Sequence, residues 1–320
     1  EAKIRHTVGL DKIMWGSDQP VRWNLHVIGD SVSLADVAWV YPTLPRTGGG
    51  SLVLDIQNER NLHVMDYKLT KMDVRSTKSH LRGAMTFAVG GPVLEVKDVS
   101  LQAEPVDFDL LRTLAGKPFP VDWQGQLRGT VTARGGPLTQ FAVDTAHLTF
   151  TDAHVPGAIS ELSGRGELNI LNPGLTEFHH FDVFAQRVDL RTVEFLYPTF
   201  PRLQGWLAGS TVLDSSWMDV QFSNADLSLA DTDALVTRLT GSGRITYGEP
   251  YMTYDASLVA DSLSLTALRR SYPALPMIGD YSGTIQVQGT TPDLLLDVSL
   301  RGPGGAISYN GHVDADAPSF

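Results

Sequence analysis

The sequence predicts a mainly β protein, an elongated array of about four similar units of antiparallel, curved β-sheet, each carrying one short α-helix. Three observations predict this fold class. One segment recurs along the chain, short alternating strands fill the intervals between its copies, and each copy carries the signals of a helix. Repeats of this length are typical of proteins whose neighbouring units bury one another's apolar faces.

The recurring segment covers residues 33–45 and reads Ser-Leu-Ala-Asp-Val-Ala-Trp-Val-Tyr-Pro-Thr-Leu-Pro. Residues 189–201 and 264–276 repeat the pattern and end in Tyr-Pro-Thr-Phe-Pro and Tyr-Pro-Ala-Leu-Pro. A looser copy at 107–120 lacks the tyrosine but keeps the final Phe-Pro. The closing prolines recur at intervals of 75, 81 and 75 residues and are Pro45, Pro120, Pro201 and Pro276.

Each copy predicts one short helix. A Ser or Asp at its start can accept a hydrogen bond from the free backbone N–H groups of the first turn. Apolar residues follow at positions i, i+3 and i+7, which places them on one helix face. The proline after the tyrosine ends the helix after about two turns. The predicted N-caps are Ser33, Asp107, Asp189 and Ser264, and the apolar faces are Leu34, Val37 and Tyr41; Phe108, Leu111 and Ala115; Leu190, Val193 and Tyr197; and Leu265, Leu268 and Tyr272.

Strands that contain glycine recur in step with the helices. The pattern Leu-x-Gly-x-(Gly)-x-apolar begins at Leu81, Leu162 and Leu239, and a second such strand follows each later helix. Glycines in these strands permit bulges and strong curvature. Successive short strands are also predicted at residues 51–56, 62–69 and 72–75. We therefore expect five or six short strands in each unit.

These landmarks divide the chain into five segments. Residues 1–45 are predicted to be a partial first unit that ends in its helix. The second, third and fourth units are predicted at 46–120, 121–201 and 202–276. Residues 277–320 are predicted to be a partial terminal unit.

Composition restricts the classes of function. The 320 residues are 42% apolar and 19% charged, which is typical of a folded protein. The net charge of −11, without a run of basic residues, argues against nucleic acid as a partner. The absence of cysteine excludes disulfides and thiolate metal sites. No apolar run approaches the roughly 18 residues needed to span a bilayer.

We predict that the protein is not an enzyme and has no catalytic, cofactor-binding or metal-binding residues. Gly29-Asp30-Ser31 is similar to the nucleophile segment of one esterase class, but the late Asp-x-x-His of that class is absent. His179 and His180 are adjacent and would point to opposite faces of a strand. Three aspartate pairs lack the glycine and distal glutamate of a calcium loop: Asp107 with Asp109, Asp231 with Asp233, and Asp314 with Asp316.

Aromatic residues cluster where helices meet strands. They either wedge the helix against the sheet or line a groove that meets a partner, since Trp and Tyr are favoured at interfaces. The candidates are Trp39, Tyr41, Trp123, Tyr197, Trp206 and Tyr272.

The alternation of a capped helix, glycine-containing strands and Leu-x-Gly-x-Gly-x-Leu resembles the AsmA-like and TamB-like envelope proteins of Gram-negative bacteria. The resemblance covers residues from about 30 to 310. It implies a curved sheet with short helices at its rim. It also implies a periplasmic location, attached to the inner membrane by a segment or partner outside this chain, and a role in phospholipid movement or outer-membrane assembly.

Two functions follow as expectations. The first is a periplasmic scaffold that binds and stabilises a membrane-associated multi-subunit complex through its repeated units. The alternative is a lipid-binding groove for phospholipid transport or outer-membrane assembly. Strands that mix charged and apolar residues favour the scaffold, because a lipid path would have to be free of charge. The number of charged side chains on the concave face distinguishes the two.

Overall fold

The protein is described by a computed structural model over residues 24–38, 45–58, 63–91, 94–115, 122–137, 139–170, 176–198, 203–231, 236–248, 250–273 and 275–315. Within these residues, sixteen strands and four short helices make up the regular structure. The first half contains β1 Asn24–Ser33, α1 Leu34–Val37, β2 Gly49–Gln57, β3 Met65–Arg75, β4 His80–Val89, β5 Glu95–Asp107, α2 Phe108–Ala115, β6 Gly125–Pro137, β7 Phe141–Asp152 and β8 Ile159–Ile170. The second half contains β9 Thr176–Asp189, α3 Leu190–Leu196, β10 Trp206–Ser216, β11 Asp219–Ala230, β12 Val236–Thr246, β13 Thr253–Ser264, α4 Leu265–Ser271, β14 Asp280–Thr290, β15 Asp293–Gly302 and β16 Gly305–Val313.

The strands form one sheet in which hydrogen-bonded neighbours follow the order of the chain from β1 to β16. Neighbouring strands are antiparallel, as expected where short turns join consecutive strands. The predicted class, mainly β with antiparallel sheet and short helices, is confirmed. The similarity of the units remains a prediction, and so do the five segment boundaries.

Helices follow every fourth strand, namely β1, β5, β9 and β13. The expectation of five or six strands in each unit was therefore wrong, because four strands separate successive helices. Residues 62–69 and 72–75 were counted as two strands, whereas β3 is continuous from Met65. Lys71 has φ +50° and the register shifts between Leu69 and Met72, so a bulge interrupts the alternation without ending the strand.

All four predicted N-caps accept a hydrogen bond from the first turn of their helix. The distances from backbone nitrogen to side-chain oxygen lie between 3.0 and 3.4 Å. In α4, Leu265 is buried and Leu268 packs beside it, as the predicted apolar face requires. The accepting residues are Ser33, Asp107, Asp189 and Ser264.

Glycines enforce an unusual backbone within several strands. Gly283 has φ +148°, and a Cβ atom there would lie 2.0 Å from the carbonyl oxygen of Ser299 on β15. Gly209 and Gly129, in β10 and β6, show the same combination of positive φ and close contact with the neighbouring strand. These positions therefore require glycine, in agreement with the predicted bulging strands.

The chain forms two compact units. Unit 1 comprises the described residues within Glu1–Phe119, Gln126–Leu148 and Glu167–Pro173. Unit 2 comprises those within Pro120–Gly125, Thr149–Gly166 and Gly174–Phe320. In the described residues, every helix is too short to cross a membrane.

Candidate functional site

Unit 2 presents an apolar face formed by rows of paired residues. Residues directly opposite each other in antiparallel strands lie on the same face, so the register identifies each row. Two rows cross all eight strands from β9 to β16 without a polar side chain. The first is Phe181, Leu213, Phe222, Gly243, Ala256, Val287, Leu296 and Gly311, and the second is Ala185, Gly209, Leu227, Leu239, Ala260, Gly283, Leu300 and Ile307. A strand separation of about 4.8 Å makes each row roughly 34 Å long.

Unit 1 has an equivalent apolar face. Tyr67 and Phe87 stack on it, with ring centroids 5.2 Å apart and planes inclined by 9°. Two of its rows cross strands β1 to β6, again without a charged residue. One is Val27, Leu54, Leu69, Met85, Val99 and Ala133, and the other is Leu25, Ile56, Tyr67, Phe87, Val96 and Gly136.

Charged residues of these strands lie on the opposite, polar face, where several form ion pairs. The hydrogen bond with His80 lowers the pKa of the Asp73 carboxylate, and Arg82, whose Nε donates to Asp73 Oδ2 at 3.0 Å, lowers it further. Arg244 Nε donates to Asp219 at 2.7 Å, which lowers the pKa of Asp219 to about 2. The mixed polarity of the strands therefore reflects two distinct faces.

The helix α4 begins at the end of β13, where it covers part of the apolar face. In unit 2, Leu265 of α4 packs with Leu263, Tyr281 and Leu300 in a buried cluster. Half-buried residues of the apolar face, including Ile285, surround that cluster. Burial of these side chains stabilises a helix that is too short to persist alone.

Three of the four N-caps are themselves held by a hydroxyl group at the beginning of the preceding strand. In unit 2, the backbone N–H of Ser264 donates to Thr237 Oγ1 at 3.1 Å, and that of Asp189 donates to Ser160 Oγ at 3.1 Å. In unit 1, the N–H of Asp107 donates to Ser79 Oγ at 2.9 Å. These hydroxyls were not predicted from the sequence, although each lies two residues before a recurring leucine, Leu81, Leu162 or Leu239.

Tyr197 lies where the two ends of the unit 2 strands approach each other. It directly follows α3, which starts at the end of β9, whereas Tyr247 follows the opposite strand end, after β12. Their ring centroids are 5.6 Å apart and their planes are inclined by 68°. A strand of eleven residues is roughly 36 Å long and a seven-residue helix only about 10 Å, so the strands must bend to allow the contact.

The bend places the apolar face on its inner side. Tyr197 packs against a cluster of Met252, Tyr254 and Leu294, beside Val287 and Leu296 of the first apolar row. Burial, together with the neighbouring Tyr247, raises the pKa of Tyr197 to about 12. The phenol is therefore neutral at ordinary pH, which suits an apolar surface.

The other candidate aromatics have different surroundings. Trp123 meets Phe150 edge to face at 5.7 Å, whereas Trp206 lies 4.7 Å from the guanidinium carbon of Arg187. Tyr272 ends α4, and its N–H donates to the carbonyl oxygen of Leu268 at 2.8 Å. Trp39 and Tyr41 lie outside the described residues.

The candidate residues for chemistry are dispersed. Ser31 is exposed on β1, and His180 is exposed at a bulge with φ +50°. Across the described ranges, no group of three or more His, Cys, Asp or Glu side chains is arranged to hold a metal ion. The apolar faces are the most extensive continuous surfaces of one chemical character in the described strands.

Comparison of the chain with protein-family models, with curated proteins and with solved structures finds no significant match.

Proposed function

We propose that the protein is a non-enzymatic lipid-binding protein that holds alkyl chains against the apolar face of unit 2. One observation carries the proposal: two rows of side chains cross eight strands without a charged or polar group. The bend at Tyr197 and Tyr247 makes this face the concave one.

The length and chemistry of the rows suit an alkyl chain. Each row is roughly 34 Å long at the usual strand spacing. The hydrocarbon core of a bilayer is about 30 Å thick, so the alkyl chains of one leaflet span about half of that core. A row is therefore long enough to hold such a chain along its full length. Each buried methylene contributes about 0.8 kcal/mol. A polypeptide laid on the same face would find no side-chain partner for its backbone N–H and C=O groups.

The resemblance to AsmA-like and TamB-like envelope proteins supports the same function and extends it. It supports a location in the bacterial periplasm, attached to the inner membrane. The bound lipid would then be a phospholipid, carried between membranes or supplied during outer-membrane assembly.

The test combines lipid identification with a matched pair of variants. Lipids that copurify with the protein are identified by mass spectrometry, and binding of a fluorescent fatty acid is titrated. Leu296→Asp places a charge in the first apolar row, while Leu295→Asp places the same charge on the polar face, where Leu295 is 37% exposed. We expect Leu296→Asp to weaken binding at least tenfold and Leu295→Asp to change it less than twofold.

Two results would refute lipid binding on this face. One is a wild-type protein that binds neither fatty acid nor copurifying lipid. The other is equal affinity in the Leu296→Asp and Leu295→Asp variants, provided that both retain their thermal transitions.

The scaffold function remains a second proposal, supported by the edge of the sheet at β16, which pairs with a described strand on one side only. β16 is the last strand in the sheet order and pairs with β15. Its other side can accept a strand from a subunit of a membrane-protein complex. A pull-down from detergent-solubilised membranes tests this, because a scaffold would retain its partner in the Leu296→Asp variant.

A further inference from the structure

We propose that Tyr197 and Tyr247 form a closure over the apolar face of unit 2 that determines which molecules reach Val287 and Leu296. The identity of the admitted ligand rests on the proposed lipid-binding function. The closure itself rests only on the arrangement of the two tyrosines and the residues beneath them.

The position of the pair supports a closure. Tyr197 approaches from the helix end of the strands, and Tyr247 is anchored at the other end, where its N–H donates to the carbonyl oxygen of Met218 at 2.7 Å. The contact between the rings therefore spans the concave side of the sheet. Val287 and Leu296 pack against the same buried cluster of Met252, Tyr254 and Leu294 as the two tyrosines do, and the closure would shield them from solvent.

The backbone at the end of the helix directs Tyr197 towards the face. Its N–H donates to the carbonyl oxygen of Val193 at 2.9 Å, and its φ and ψ are −129° and 81°. Tyr272 ends α4 with nearly the same angles, −125° and 77°, and an equivalent bond to Leu268. Both helices of unit 2 therefore end in the same backbone conformation, and each is followed by a tyrosine, Tyr197 after α3 and Tyr272 after α4.

A closure of this kind can open without loss of the sheet. The two rings meet through one edge-to-face contact, which is weak compared with the continuous hydrogen bonding of the strands around it. A slender, flexible chain needs a smaller separation of the rings than a rigid fused-ring molecule. We therefore expect the intact closure to favour unbranched alkyl chains over sterols.

Thiol accessibility tests the closure without any lipid. The chain contains no cysteine, so Val287→Cys introduces a single thiol beneath the pair, and Gln286→Cys introduces one on the opposite face of the same strand. The rate of reaction with N-ethylmaleimide is measured for each single-cysteine variant. It is measured again after Tyr197→Ala or Tyr197→Phe is added to that variant.

We expect Tyr197→Ala to raise the rate at position 287 at least fivefold and to leave the rate at 286 within twofold. With Tyr197→Phe, the labelling rate at position 287 should equal that of the single-cysteine variant, because phenylalanine keeps the aromatic ring. Equal rates at position 287 with and without the Tyr197 ring would overturn the proposal. Circular dichroism verifies folding, and Tyr247→Ala provides the same test from the other side of the contact should Tyr197→Ala unfold.

Ligand selectivity separates this proposal from the proposed function. Binding of palmitate and of a sterol is compared in the wild-type and Tyr197→Ala proteins, and we expect the preference for palmitate to fall at least threefold. An unchanged preference would refute the selectivity. A wild-type protein that binds neither ligand, while labelling at 287 still depends on Tyr197, would refute lipid binding and leave the closure intact.

Discussion

Thr237 on β12 and Ser264 at the start of α4 are joined by a hydrogen bond of 3.1 Å, in which the serine N–H donates to the threonine hydroxyl. The serine hydroxyl in turn accepts from the N–H of Ala267, and the N–H of Leu265 donates to the carbonyl oxygen of Gly279 at 3.0 Å. Three N–H groups around the helix start, those of Ser264, Leu265 and Ala267, are thereby satisfied. A helix of seven residues depends on such partners, because it has few internal hydrogen bonds of its own.

Removing the Thr237 hydroxyl should destabilise unit 2. Thr237→Val keeps the shape of the side chain but leaves the N–H of Ser264, a fully buried residue, without its acceptor. We expect a loss of roughly 1–3 kcal/mol, which is the usual cost of an unsatisfied buried donor. Urea unfolding measures it. Thr284→Val, at an exposed position of β14, is the control and should change stability by about 0.5 kcal/mol or less.

Gly283 should not tolerate a side chain. Gly283→Ala combines a φ of +148° with a contact of 2.0 Å to the carbonyl oxygen of Ser299. We expect a loss of at least ~2 kcal/mol or failure to fold, since strained backbone alone costs about 1–3 kcal/mol. Gly135→Ala, where a Cβ atom would meet nothing within 4 Å, should be nearly neutral in the same thermal melts. Similar melting temperatures for the two variants would contradict this account.

Asp189, the N-cap of α3, should contribute stability that is lost in acid. Burial opposes ionisation of its carboxylate, but hydrogen bonds from Arg191 hold its pKa below the ordinary value of 3.8. Because the folded-state pKa is the lower one, the contribution is present above pH 3.8 and disappears as the pH falls further. Asp189→Asn should flatten the decline in unfolding free energy between pH 5 and pH 2. Asp261→Asn, which removes an exposed carboxylate from β13, is the control, and an equal flattening in the two variants would contradict the role of Asp189.

Tyr197 should contribute stability that is lost at high pH rather than at low pH. Its pKa rises to about 12 in the folded protein, mainly through burial, against about 10 in an unfolded chain. The neutral phenol therefore contributes stability below pH 10 that is lost as the pH rises towards 12. Urea unfolding between pH 9 and pH 12 should show a shallower decline in Tyr197→Phe than in the wild type. An identical decline would indicate that the ring ionises freely in the folded state.

Local signals in the sequence were sufficient to predict the helices. A Ser or Asp followed by apolar residues at helical spacing identified all four N-caps, because capping depends only on residues within one turn. The strand count was wrong because the bulge at Lys71 disturbs a two-residue alternation as thoroughly as a turn does. Alternation identifies strands, whereas only hydrogen-bonding partners show whether a strand continues.

The sequence by itself determined a mainly β chain with short capped helices, since propensity, capping and alternation act over a few residues. Only the tertiary structure decided that the charged residues share one face and the apolar residues the other. That separation depends on register across many strands, and register is a relation between residues distant in sequence. The contact between Tyr197 and Tyr247 has the same origin, because it exists only where bent strands bring their opposite ends together.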